Sequence, residues 1–323
     1  YNVGIDLALF RNRLEFTAEW YKNISEDLLY AVPVPEQAGV SNTTVTMNAA
    51  SMNNSGFEFS ATYRNRDHDF KYEISGNLST LRNRVTSLGF GTNSYISGAY
   101  ITKVGEEIGQ FYGWVYEGIA RTQEGAQIGD CLYKDVNNDG KIDSEDQVVL
   151  GSGMPKIHFG LSARFEYKRF DLSIATFGAL NYHVSDDIYN SLNSCYGWGN
   201  KEVRMLDANR FSEDGSTYLS NMPRTYVTNN ASLAWNDLFS SRKIQNAAYW
   251  KIANIELGYN FPDKWFGKYV SDVRLYVSAQ NLHTFTGYHG YNVDYAGGTF
   301  TPGYNFCSYP TARTFMCGVH FTF

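Results

Sequence analysis

No stretch of this 323-residue sequence approaches the run of about 18 apolar residues that a membrane-spanning helix needs. The mean hydropathy of -0.37 is that of a water-soluble chain. Neither observation excludes a membrane barrel, whose alternating strands leave no hydropathy peak. Positive charge is scarce: 27 Lys and Arg against 33 Asp and Glu leave a formal charge of -6, which removes electrostatic support for nucleic-acid binding. The four cysteines, Cys131, Cys195, Cys307 and Cys317, lack metal-ligand spacing; a disulfide among the first three and free thiols both stay open. The six histidines are scattered, and no G-x-S-x-G, H-E-x-x-H or P-loop occurs, so the chain does not read as an enzyme. Neither an initiator Met nor a signal peptide precedes Tyr1, and the first residues already alternate like a strand. The chain is therefore expected to be a mature or truncated piece of something longer.

What the sequence has is aromatic residues, 25 Tyr, 21 Phe and 6 Trp, set in period-2 alternation. At the end of the chain Phe315, Cys317, Val319, Phe321 and Phe323 point one way, and Thr314, Met316, Gly318, His320 and Thr322 the other. That is a strand with one apolar face, either the edge of a soluble sandwich or the closing strand of a barrel. The pattern recurs over Tyr1 to Phe10, Leu14 to Tyr21, Phe57 to Arg64, Phe70 to Leu78, Phe159 to Tyr167, Phe170 to Thr176, Asn254 to Phe261 and Val273 to Gln280, giving about nine strands.

Connection lengths separate the two architectures. Tight turns at Arg11-Asn12-Arg13, Asn65 to His68, Lys168-Arg169 and Pro262-Asp263 alternate with long loops from about Leu29 to Met52, 86–156, 183–248 and Gly287 to Tyr309. An antiparallel meander then has every short turn at one end and every long loop at the other, as transmembrane barrels do. Glu15, Glu19, Glu58, Glu73, Arg164, Glu166, Glu256 and Arg274 all fall on the polar faces, where a wet lumen would accept them. Glu15 and Glu19 are not an acid pair, because four residues of strand rise separate them by roughly 13 Å. Trp20, Tyr63 and Tyr167, near strand ends, suit interfacial anchors. The expected fold is all-β, an antiparallel transmembrane β-barrel with long extracellular loops. Its last strand runs toward the periplasm, so an odd number of strands is expected upstream of Tyr1.

Several blocks, in order, resemble the C-terminal portion of a SusC/RagA-type TonB-dependent outer-membrane transporter of the Bacteroidetes. They are Ile244 to Pro262 (IQNAAYWKIANIELGYNFP), Arg274 to Gly290 (RLYVSAQNLHTFTGYHG) and Ser308 to Phe323 (SYPTARTFMCGVHFTF). Val104-Gly105 through Gly118-Ile119, and Gly153-Met154-Pro155-Lys156, add support. The resemblance implies a barrel of about 22 strands, of which these are the last nine, with a plug domain and thirteen strands upstream. It implies location in the bacterial outer membrane and import of a nutrient, a glycan or a peptide. Implied partners are a SusD-like surface lipoprotein and TonB–ExbB–ExbD, the latter through the upstream part. A passive porin-like channel and a surface β-rich glycan-binding module are the alternatives.

Two loop features carry further expectations. The segment 135–146, DVNNDGKIDSED, follows the D-x-[DN]-x-[DN]-G order of a calcium loop. Its donors would be Asp135, Asn137, Asp139, the Lys141 carbonyl, Asp143 and Asp146, with a solvated metal-free loop as the alternative. Asp146 departs from the usual Glu at the twelfth position. Calcium here would be structural, and no other cofactor is expected. The loop aromatics Tyr196, Trp198, Trp235, Tyr288 and Tyr291 are candidates for a ligand-binding rim. Phe315, Val319, Phe321 and Phe323 are expected to form the lipid face of the closing strand.

Overall fold

A computed structural model describes residues 1–33, 44–89, 91–121, 128–194, 200–203, 222–224, 235–265, 270–294 and 297–323. The first four strands are β1 (Asn2–Leu9), β2 (Leu14–Pro33), β3 (Thr44–Asn65) and β4 (Phe70–Thr80). Seven short strands follow in the second long connection: β5 (Arg82–Ser87), β6 (Ser94–Ser97), β7 (Tyr100–Lys103), β8 (Gln110–Gly113), β9 (Tyr116–Ile119), β10 (Cys131–Tyr133) and β11 (Val148–Ser152). Next come β12 (Ile157–Tyr167), β13 (Phe170–Leu180), β14 (His183–Asp186), the helix α1 (Asp187–Leu192), β15 (Gln245–Asn246), β16 (Tyr249–Asn260) and β17 (Asp272–Thr286). The chain finishes with β18 (Gly297–Gly298), β19 (Thr301–Pro302), β20 (Tyr304–Asn305) and β21 (Thr314–Thr322).

Nine of these make one antiparallel meander in the order β1-β2-β3-β4-β12-β13-β16-β17-β21, with β5 added alongside β3. They correspond to the nine alternating segments of the sequence. Short turns close one end, where Phe10, Arg11, Asn12 and Lys168 take the left-handed conformation that tight reversals demand. The register sorts the two faces. Leu14, Tyr63, Ile74, Ala163, Ile174, Ile255, Ala279 and Phe315 face one another in successive pairs, forming an apolar row. One residue away on each strand lies a mainly polar row: Glu15, Thr62, Ser75, Ser162, Ala175, Asn254, Gln280 and Thr314. Because side chains alternate strictly, a single-residue slip would exchange these rows on every strand.

Aromatic contacts edge the apolar face at both heights. Near the short turns Phe70 stacks on Phe165 at 6.0 Å and Phe170 meets Tyr259 at 4.8 Å. Near the long loops Trp250 stacks on Phe285 at 5.2 Å. These are the positions of interfacial girdles. Trp20 and Tyr167 are exposed, and Tyr63 contacts Tyr72 at 5.9 Å.

Two long connections are more ordered than alternation suggests. The expected loop from Leu29 to Met52 is largely strand: β2 runs 20 residues and β3 22, about twice the roughly 9–11 needed to cross a bilayer. A bulge between Ser25 and Leu28, with Asp27 left-handed, breaks the alternation while pairing resumes beyond it. The segment expected to be irregular up to Lys156 folds as a four-stranded sheet, β11-β8-β7-β6, and the β9–β10 pair. Two clusters of buried apolar residues lie at this long-loop end. Ala49, Ala50, Val85, Leu88 and Ile108 form one cluster; Ala179, Tyr182, Val184, Ala247, Tyr249 and Tyr288 form another.

Candidate functional site

The polar face of the meander carries charge in matched groups. Arg274 is bidentate to Asp171, at 3.0 and 2.5 Å, and reaches Glu256 at 2.8 Å. Arg64 joins Glu15 at 2.6 Å and Glu73 at 2.9 Å, Arg66 meets the same Glu73 at 3.1 Å, and Arg164 bonds Glu166 at 3.0 Å. One strand, β16, lies between Asp171 on β13 and Arg274 on β17, so the two have no direct ladder contact, yet both sit on one face and the planar guanidinium spans them. The result is a hydrophilic wall whose arginines are paired with carboxylates.

Above this wall, at the long-loop end, lies a cavity of about 720 Å³. Strand β2 contributes Tyr21 and Asn23, β3 Met52 and Asn54, and the wall Tyr249 and Ala179; the last long loop contributes Val293 and Asp294. Lys251, only 3% exposed, forms an ion pair with Asp294 at 2.5 Å, its ammonium 5.7 Å from the Phe177 ring centre. Tyr182 donates to the Val293 carbonyl at 3.3 Å, and its burial near Asp294 pushes its phenol well above the ordinary range. These contacts fasten residues 293–294 to the wall.

A second network ties two long loops together. Tyr288 donates to Asp186, and Asn305 donates to the Tyr288 oxygen at 2.8 Å and to Asp186 at 3.1 Å. The other Asp186 oxygen accepts the Tyr189 N–H at 2.9 Å, capping α1. Burial and the Asp186 carboxylate raise the Tyr288 phenol. Burial also lowers His183 in the adjacent β14.

Of the expected rim residues, Trp235, Tyr288 and Tyr291 lie in different surroundings. Tyr196 and Trp198 lie outside the described residues. Trp235 packs edge-on against Tyr133 at 5.3 Å and donates to the Cys131 carbonyl at 2.9 Å. Tyr288 is 5% exposed and engaged as above, whereas Tyr291, 62% exposed, presents an open ring. Tyr189 and His289 stack at 5.7 Å nearby, a pair that single-residue reading passes over. Among the described residues Cys131, Cys307 and Cys317 are free thiols; Cys195 lies outside them.

The 135–146 segment closes on its own backbone. Asp135 accepts from Asn138, Asp139 and Gly140; Asn137 accepts from Asp139 and Asp139 from Lys141. Asp143 caps the short helical turn 144–146. Asp146 is fully enclosed, and backbone N–H groups of Asp143, Val136 and Asn137 hold its carboxyl below the usual range. Among the described residues no three His, Cys, Asp or Glu side chains converge as a metal centre would. On the closing strand Phe315, Val319 and Phe321 pair with Ala279, Leu275 and Val273 on the apolar face, and Phe323 continues beyond it. His320 opposes Arg274 on the polar face.

No protein-family profile matches the chain. It is 31% identical over 350 aligned residues to TonB-dependent receptor P3 of Formosa agariphila, which spans all of this chain and 34% of that receptor. It is 26% identical over 339 residues to TonB-dependent receptor SusC of Bacteroides thetaiotaomicron, covering all of this chain and 31% of SusC. The chain thus spans about a third of the length of the curated relatives it matches. Among solved structures, the RagAB peptide transporter superposes with a TM-score of 0.83 at 22% identity, over all of this chain and 34% of the other. That likeness concerns the fold.

Proposed function

Because the chain is part of a SusC- and RagA-like TonB-dependent receptor, a β-barrel of the outer membrane, we propose that it forms nine wall strands of a transporter importing an oligomeric nutrient, a glycan or a peptide. The observation that carries this reading is the two-faced meander: one face apolar and edged by aromatics, the other polar, with a cavity where the long loops gather. With its arginines already paired to carboxylates, the polar face would let a neutral oligomer pass without a strong single-site trap. A SusD-like lipoprotein would cover the long-loop end, and TonB–ExbB–ExbD would act through the upstream part of the receptor.

The test is uptake by cells expressing the whole receptor. Accumulation of the nutrient should require the receptor, its lipoprotein and a membrane potential across the inner membrane. Uptake that continues after the potential is collapsed would identify a passive pore and overturn active import.

We further propose that the 135–146 segment takes Ca²⁺ as a stiffening ion. Support comes from the donor order and from Asn138 and Gly140, whose left-handed conformations turn the loop inward. Calorimetry on the whole receptor should give calcium heat that vanishes when Asp135 and Asp139 are both replaced by Ala. Equal heats in the two proteins would remove the idea.

A further inference from the structure

The cavity above the wall has an uneven chemistry. Its apolar lining includes Met52, Leu81, Ile108, Met154, Pro155 and Val293. Most of its polar groups already have protein partners. Tyr21 donates to the Thr80 carbonyl at 3.2 Å and Tyr182 to that of Val293. The Asn83 amide donates to the Asn54 oxygen at 2.7 Å and accepts from the Ile108 N–H at 2.9 Å. Asp294, the one carboxylate of the described lining, is paired with Lys251 and also bonded to Tyr249. Asn23, His158 and Thr299 are the lining side chains that make no hydrogen bond among the described residues.

From this lining we infer that the cavity is a specificity subsite for an uncharged apolar side chain of a peptide. The inference rests on the import reading and narrows its substrate. A sugar ring brings several hydroxyls, each of which loses affinity when buried without a partner, and three uncommitted side chains at separate points cannot serve them all. A charged side chain would meet no free counter-charge among the described lining residues. An aliphatic or aromatic side chain would exclude water from the apolar lining, and full burial favours it over a small polar one roughly tenfold to hundredfold. The side-chain amide of Asn23 and the hydroxyl of Thr299 match the donor and acceptor that a peptide main chain offers beside each side chain.

The experiment uses the purified whole receptor with its lipoprotein. Probes are blocked pentapeptides, four alanines around a central leucine, phenylalanine, serine or lysine, and maltohexaose as the glycan arm. Calorimetry should show leucine or phenylalanine at the centre binding at least tenfold tighter than serine or lysine, and maltohexaose failing to compete. Met154→Lys should abolish the preference and Met154→Leu should keep it. Equal binding of all four peptides, or tighter binding of maltohexaose sensitive to Met154→Lys, overturns the proposal. So does a Met154→Lys receptor that loses thermal stability with its peptide preference unchanged, since the cavity would then be packed by the receptor's own upstream segment. Uptake separates the two readings. If energised cells import the peptides without a central-residue preference, import stands and the subsite falls. If they import none of the probes while the purified receptor keeps its preference, the subsite stands and the import reading falls.

Discussion

Placing an arginine on either face of one strand tests the inside–outside assignment directly. Strand β12 has 11 residues. At about 3.3 Å rise it is roughly 36 Å long, and tilted by about 45° it spans roughly 25 Å, the height of a barrel's apolar band. Ser162 is the central residue, and Ala163 follows it one rise away on the opposite face. Ala163 stands in the apolar row between Ile74 and Ile174, and Ser162 in the polar row between Ser75 and Ala175. A lipid-facing Arg at mid-depth costs about 2–4 kcal/mol, roughly 30- to 700-fold in the folding equilibrium. Among the small side chains of the polar row an Arg keeps water contact and should cost about 1 kcal/mol or less. The assay is urea-dependent folding of the whole receptor into phosphatidylcholine vesicles, read by heat-modifiable gel migration. Ala163→Arg should move the midpoint strongly and Ser162→Arg little. Equal shifts, or a larger one for Ser162→Arg, would refute the face assignment and with it the lumen.

Other expectations follow from single contacts. Arg274→Met leaves Asp171 and Glu256 facing each other uncompensated; with Asp171 8% exposed, the loss should be about 2–3 kcal/mol, and adding Asp171→Leu should recover part of it in the same folding assay. A Cβ at Gly153 would lie 1.9 Å from the Pro302 oxygen, so Gly153→Ala should raise hydrogen exchange at residues 301–305. At Gly287, where a Cβ meets nothing within 4 Å, the same change should leave exchange there unaltered. Burial holds His183 below its ordinary value, so the unfolded state binds its proton more readily. The His183 contribution to stability is therefore complete above about pH 6.5 and declines as pH falls through the depressed folded value. Protection of the amides at 183–186, taken relative to their intrinsic exchange at each pH, should fall between pH 7.5 and 5.5, and His183→Gln should flatten that dependence.

The nine wall strands and their two faces were legible in the chain itself, because the signal is local. Alternation along one short segment and a reversal such as Lys168-Arg169 need no distant partner to be recognised. Phe315, Val319 and Phe321 fell on the apolar face, and Arg274 and Glu256 on the polar one, because strand periodicity leaves each residue only two choices.

Tertiary structure decided what depended on remote partners. Beyond the bulge at Ser25 the β2–β3 pairing continues through Leu28↔Ala50 and Leu29↔Asn48, although local alternation is lost. Asp186 finds Tyr288 across 102 positions and Asn305 across 119, and Arg274 finds Asp171 across 103. A loop tyrosine has the same local sequence whether it ends buried, like Tyr288, or open, like Tyr291. Burial is set by what folds over the residue, and only the packed loops supply that. The sequence by itself therefore determined a two-faced wall of β-strands, whereas the cavity, the charge pairs across strands and the buried loop network exist only once segments a hundred residues apart are brought together.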